Sequence, residues 1–202
     1  MRRPPISSAG GGLIIFPTDT VYGIGCDPFN REAVKRLIKA KGERTRPLPV
    51  LVDSFLMAEK TIDLRGSAWH LAQRFWPGPL TIVGRQKLGF PEEVAKATGG
   101  VGVRIPDVEL VRDLIARVGG RLVGTSANFT GGKSPAEVKE VPTVLIRNVD
   151  IVLDGGPTRI GKDSTVVSFV SGIPEILRVG ALEAEAIRKV LGEEGKSADR
   201  FI

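Results

Sequence analysis

The stretch LIIFPTDTVYGIG, Leu13–Gly25, decides how the rest of the chain is read. Leu13–Phe16 is a short, wholly apolar run of the kind that forms a buried strand. Pro17 ends it, and Thr18, Asp19, Thr20 and Tyr22 follow before the glycines begin. A surface turn needs only a Gly, Pro or Asx residue. Two hydroxyls, a carboxylate and a phenol at the end of a buried strand exceed that need, although Asp19 and Tyr22 are equally able to hold the turn.

Working outward, Met1–Gly12 is rich in Pro, Ser and Gly and reads as a flexible lead-in. Asn30 is placed to cap a helix from Arg31 to about Lys41, with Val34, Leu37 and Ile38 as its apolar stripe. Lys41 falls on the same stripe, so it turns towards the buried side or snorkels out. Pro47–Val52 reads as a strand, Ser54–Lys60 and Ser67–Phe75 as helices, and WPGPL (Trp76–Leu80) as a stop. TIVGR and VGVRI are strands. Asp107 is expected to cap a helix carrying Val111, Leu114, Ile115 and Val118 on one face. RLVGTS is expected to be one strand, and Pro135 to open a short helix with Glu137 in its first turn. DIVLD, STVVSFV and EILRV are later strands, and Glu183 to about Leu191 a final helix before a charged tail, 193–202. Alternating strands and helices with several late strands in succession predict an α/β fold, an open twisted mixed parallel/antiparallel sheet with flanking helices, as a single domain over 13–192.

Composition narrows the function classes. The 202 residues carry 42% hydrophobic and 26% charged residues, as a water-soluble globular chain does. The net charge of +6 suits an anionic partner, and equally a generally basic surface. One cysteine, Cys26, and one histidine, His70, exclude an intrachain disulfide and a Cys/His zinc site. No apolar run is long enough to span a membrane, and MRRPPISSAGGG lacks the apolar core of a secretory signal; a cytoplasmic protein is expected.

Three segments concentrate chemistry. GPTRIGKDST, Gly156–Thr165, matches most of a P-loop, but Asp163 stands where Ser or Thr must hold magnesium, and a strand follows where a helix is required. It reads better as a glycine-rich loop delivering Ser164 and Thr165 to a strand. KGERTRPLP, Lys41–Pro49, sets Lys41, Arg44 and Arg46 between a helix and a strand; such cations grip phosphates, or form a solvated basic loop. GTSANFTGGKSP, Gly124–Pro135, ends a strand in Ser126 and Asn128, followed by Lys133 and Ser134, where ligands of open sheets sit, though such residues also satisfy turns. Arg104 and Arg178 lie inside strands, where a cation must meet an anion or face solvent. FWPGPLT, Phe75–Thr81, reads as packing and a turn. With no Ser-His-Asp set and no clustered metal ligands in the sequence, these groups suit positioning and electrostatic stabilisation of charged substrates, as phosphoryl or nucleotidyl transfer needs.

Together, FPTDTVYGIG, KGERTRPLP, FWPGPLT, VGVRIP, TSANFTGGKSP, DSTVV and ILRVG resemble the YrdC-like family, the threonylcarbamoyl-AMP synthases, from about Leu13 to Leu182. The resemblance implies an open α/β sheet around a concave, positively charged pocket. It implies an L-threonylcarbamoyladenylate synthase, a nucleotidyltransferase that makes threonylcarbamoyl-AMP and pyrophosphate from L-threonine, bicarbonate and ATP, with Mg²⁺ accompanying ATP and no dedicated protein metal site. A separate threonylcarbamoyl transferase would then modify tRNA, which this chain would meet indirectly or weakly. Carried over by position, Thr20, Arg104 and Ser164 meet threonine. Lys41, Arg44, Ser126 and Asn128 form the catalytic signature, and with Arg46, Ser134 and Arg178 they bind ATP. This chain departs from the family pattern in the shortened Lys41–Pro47 segment, at Leu51, where many relatives carry histidine, and at Gly100, where threonine is frequent. The alternatives are a paralogue that binds nucleotide or RNA without this activity, and a carbamoyl-adenylate-forming enzyme.

Overall fold

A computed structural model describes residues 11–42, 47–95 and 99–198. β1 (Ile14–Phe16) and β2 (Gly23–Gly25) precede α1 (Arg31–Lys41) and β3 (Val50–Val52). Next come α2 (Phe55–Thr61), α3 (Ser67–Phe75), β4 (Leu80–Arg85) and β5 (Gly100–Arg104). α4 (Glu109–Arg117) leads to β6 (Arg121–Val123) and β7 (Thr125–Ser126), then to α5 (Thr143–Asn148) and β8 (Ile151–Val152). β9 (Thr165–Ser168), β10 (Glu175–Arg178) and α6 (Ala184–Ala198) complete the order.

The strands form two mixed sheets. One has the order β7-β2-β1-β8 and the other β10-β9-β4-β5-β3-β6. In the first, β1 runs antiparallel to β2 and parallel to β8. In the second, β4 is antiparallel to β5 and parallel to β9. The sequence led us to expect RLVGTS as one strand; it is two, because Gly124 hands the chain from β6 in the larger sheet to β7 in the smaller one. A side chain at Gly124 would strike Leu51. β2 was not foreseen, since GIG offers little strand propensity. Its glycines are required by proximity: a Cβ on Gly25 would overlap the Val123 carbonyl, and one on Gly23 would press on the Phe16 ring at 3.0 Å.

The helices follow from local chemistry where caps are present. Asn30 accepts from the Ala33 amide, and Ser54 from the Met57 amide, as N-caps do. α1 buries Ala33, Val34, Leu37 and Lys41 along one stripe. Two expected starts are corrected. Val108, not Asp107, precedes α4; the Asp107 carboxylate is taken by Arg159 at 2.6 Å instead. Pro135 opens no helix: its carbonyl accepts the Tyr22 amide, and a short 3-10 turn (Val138–Glu140) and α5 follow later. α6 runs on to Ala198, beyond the expected end.

The main core includes Leu13, Ile15, Val34, Leu37, Leu71, Ile82 and Val103. A smaller one, of Ile14, Phe16, Leu51, Val111, Ile115 and Leu122, lies under α4. β1 alternates between them, as period-2 side chains must. Full burial of each large aliphatic contributes about 1.5–3 kcal/mol. Among the described residues no helix is long and apolar enough to cross a membrane.

Candidate active site

Both sheets contribute to a cavity of about 540 Å³, a size suited to a small organic ligand. Strand alternation supplies its lining. Gly100, Gly102 and Arg104 of β5 face it while Val101 and Val103 enter the core. Thr81 and Val83 of β4 do the same, and Ser164, Val166 and Ser168 run along β9 and the residue before it. Phe16, Gly23, Thr125 and Ser126 come from the smaller sheet.

In the cavity wall the Arg104 guanidinium is enclosed. Nε donates to the Gly78 carbonyl at 2.9 Å, Nη1 to Thr20 Oγ1 at 2.8 Å, and Nη2 to Asp19 Oδ1. The side chains of this ion pair are 7% and 0% exposed. Burial pushes Arg104 below its ordinary pKa, Asp19 pulls it back, and the like charge of Arg178 adds to the lowering. A buried cation is thus matched by an anion, one of the two readings its sequence position left open. Asp19 Oδ1 also accepts the Asp107 amide at 3.0 Å, while Oδ2 is buried without a hydrogen-bond partner among the described residues. Asp19 therefore ties the turn after β1 to β5 and to the chain entering α4. Tyr22 ties that turn elsewhere, donating to the Gly156 carbonyl at 2.7 Å.

Beside Arg104 lies a second polar group. Ser164 Oγ is 2.8 Å from Thr81 Oγ1, and Arg178 donates to the Ser164 hydroxyl at 3.2 Å and to its carbonyl at 2.9 Å. Ser134 donates to Asp163 at 2.9 Å, so it reaches the cavity only through a lining neighbour. The glycine-rich loop does deliver Ser164 and Thr165 to a strand.

Of the residues expected at the site, Thr20, Arg104, Ser126, Ser164 and Arg178 line the cavity together. Lys41, Asn128 and Ser134 do not. Lys41 is 2% exposed and turned inward, donating to the Ser126 carbonyl and, at 2.6 Å, to the Asn128 carbonyl. The Asn128 side-chain amide closes its own turn on the Gly132 carbonyl. Arg44 and Arg46 lie outside the described residues. Leu51 and Gly100, two of the three departures from the family pattern, both line the cavity. Sequence reading missed Thr18, Thr81 and Asp163. Period-2 counting would have found Gly102 and Gly100 from Arg104, and Val166 and Ser168 from Ser164. FWPGPLT, read as packing, supplies both the Gly78 carbonyl on Arg104 and the Thr81 hydroxyl on Ser164.

A Sua5/YciO/YrdC family model, described as telomere recombination, matches residues 8–180. The chain is similar to a threonylcarbamoyl-AMP synthase of Pyrococcus abyssi, 37% identical over 198 residues, covering 94% of this chain and 58% of that protein. It is also similar to a putative threonylcarbamoyl-AMP synthase of Mycobacterium tuberculosis, 36% identical over 189 residues, covering 93% of this chain and 87% of that one. A crystal structure of P. abyssi Sua5 complexed with L-threonine superposes with a TM-score of 0.84 at 38% identity, covering 91% of this chain and 54% of that one. The chain thus spans little more than half the length of the Pyrococcus protein.

Proposed function

The chain belongs to the Sua5/YciO/YrdC family, and from that premise we propose that it is an L-threonylcarbamoyladenylate synthase. The observation that carries this reading is that Arg104, Thr20 and Ser164 line one cavity of about 540 Å³, with Arg104 hydrogen-bonded to Thr20. Arg104 has five N–H donors, and among the described residues three are occupied. The remaining two suit a carboxylate, the part of threonine that a buried guanidinium attracts most.

In this reading the threonine amine adds to bicarbonate with loss of water, giving a carbamate. A carbamate oxygen then attacks the α-phosphorus of ATP, and the α–β phosphoanhydride bond breaks with departure of pyrophosphate. ATP enters with Mg²⁺ on its phosphates, so the metal belongs to the substrate. Arg178 and Ser126 are assigned to the nucleotide, together with Arg44 and Arg46. Lys41, through the carbonyls it holds, sets the Ser126–Asn128 turn against the nucleotide, and Ser134 acts through Asp163. The product is a mixed anhydride that reacts readily with water, so a separate transferase acting on tRNA would consume it, in the cytoplasm. The purified chain with MgATP, bicarbonate and L-threonine should release pyrophosphate only when threonine is present, and poorly with L-serine. Threonine-independent release, or none, overturns the reading.

A further inference from the structure

Two strands hold the Ser164 hydroxyl. Its oxygen lies 2.8 Å from Thr81 Oγ1 on β4 and accepts from Arg178 Nη2 on β10 at 3.2 Å. The first contact has the usual length for two hydroxyls, and the second is at the long limit for an N–H donor. Arg178 is anchored instead on the Ser164 carbonyl, to which Nε donates at 3.1 Å and Nη2 at 2.9 Å. Among the described residues Thr81 Oγ1 meets only Ser164 Oγ. Thr81 is itself constrained, being 6% exposed and β-branched, so that few χ1 choices remain. Its methyl lies on the β5 side: a Cβ on Gly102 would stand 3.2 Å from Thr81 Cγ2, tighter than side chains normally pack. Gly102 leaves that methyl its place. The hydroxyl then falls on the side of β9, which Ser164 immediately precedes.

We propose that Thr81 is a positioning residue that holds the Ser164 hydroxyl in one rotamer, so that the pair presents one O–H to an oxygen of the bound amino acid. Resting on the synthase reading, which assigns Ser164 to threonine, this role deepens it by naming the side chain that sets the contact. Two hydroxyls in contact share one proton and keep another. Whichever of the two donates, one O–H of the pair has no acceptor among the described residues, and both residues line the cavity. A serine hydroxyl left to itself turns among staggered χ1 wells. Fixing it before the ligand arrives removes an ordering cost from binding. Arg178 alone does not supply this, because its firm bonds are to the Ser164 carbonyl, which stays in place whatever the hydroxyl does.

The test compares the parent with Thr81→Val, Thr81→Ser, Ser164→Ala and the Thr81→Val/Ser164→Ala double variant by calorimetric titration of L-threonine and, separately, of MgATP. Thr81→Val keeps the shape and removes the hydroxyl, and should weaken threonine binding about fivefold, the scale of one neutral hydrogen bond. MgATP binding should not change, because Arg178 keeps its bonds to the Ser164 carbonyl. Thr81→Ser restores the hydroxyl and should bind threonine within about twofold of the parent. In the Ser164→Ala background Thr81→Val should cost nothing further, since its effect passes through Ser164. Unchanged threonine binding in Thr81→Val, an equal loss for MgATP, a Thr81→Ser no better than Thr81→Val, or additive losses overturn the proposal. Thr81→Ala serves the same cycle if the valine variant does not fold; failure of both to fold assigns Thr81 to the fold alone and overturns it. The Hα–Hβ couplings of Ser164, measured by NMR on the unliganded protein, should report one rotamer in the parent and averaging in Thr81→Val. Averaging in the parent overturns the positioning role even where threonine binds. A parent that binds no threonine overturns the synthase reading, and with it the amino-acid ligand, even where the couplings report one rotamer.

Discussion

Lys41 Nζ donates to the Asn128 carbonyl oxygen at 2.6 Å, joining the last residue of α1 to the turn beyond β7 across 87 residues of sequence. The same ammonium meets the Ser126 carbonyl. A lysine this deeply buried needs its hydration replaced, and these carbonyl dipoles supply part of that. Carbonyls so placed depend in turn on the lysine.

Lys41→Met keeps the length of the side chain and removes the donor. It should lower the free energy of unfolding by about 1–3 kcal/mol, the cost of stranding buried acceptors, as measured by urea denaturation. Pyrophosphate release should fall with it, since the turn carrying Ser126 loosens. Unchanged stability would show that the turn holds itself.

Arg104→Ala should impair use of threonine more than binding of ATP, because the guanidinium lines the cavity beside Thr20, the residue assigned to threonine, and is held there by Asp19. Steady-state kinetics with each substrate varied in turn separates the two. Equal losses would contradict the carboxylate role. Asp19→Asn removes the anion and leaves the buried cation unpaired, for a stability loss of about 3–5 kcal/mol.

Gly25→Ala should destabilise by about 3 kcal/mol or more, because the new methyl overlaps the Val123 carbonyl and neither backbone can move without parting the sheets. Gly89→Ala is the control. Among the described residues nothing lies within 4 Å of a Cβ there, so its melting temperature should match the parent.

Burial pushes the Cys26 thiol up to about 12 from 9.0. The unfolded chain therefore releases this proton first as pH rises. The contribution is fully present below about pH 9 and declines above it, by at most about 1.4 kcal/mol per pH unit. Cys26→Ala should flatten that part of the alkaline stability profile relative to the parent. The native thiol should also resist iodoacetamide at pH 8, since the thiolate is the nucleophile. Rapid labelling of the folded protein would refute the burial argument.

How legible was this molecule in its sequence? α1, α2 and α3 were: Asn30 and Ser54 cap the first two, and α3, which has no side-chain cap, stops at WPGPL. The strand alternation that points Arg104 to one face was also present in VGVRIP. β2 was hidden, since two glycines suggest a turn and only the approach of Phe16 and Val123 explains them. Asp107 looked like a cap because the sequence does not show Arg159 52 residues away competing for its carboxylate.

By itself the sequence determined the starts of α1, α2 and α3, the α/β class, the family and the residue types at strand ends. These rest on local periodicity, capping and ordered motifs. The tertiary structure alone decided the pairings: Arg104 with Asp19 across 85 residues, Ser164 with Thr81 across 83, Lys41 with the Asn128 carbonyl across 87. It also decided that Lys41 turns inward while Arg178 lines the cavity. A charged or polar side chain must find its partner once water is removed, and which partner is within 3 Å depends on which sheet faces meet. That is settled by packing between distant strands, which no local stretch of sequence records.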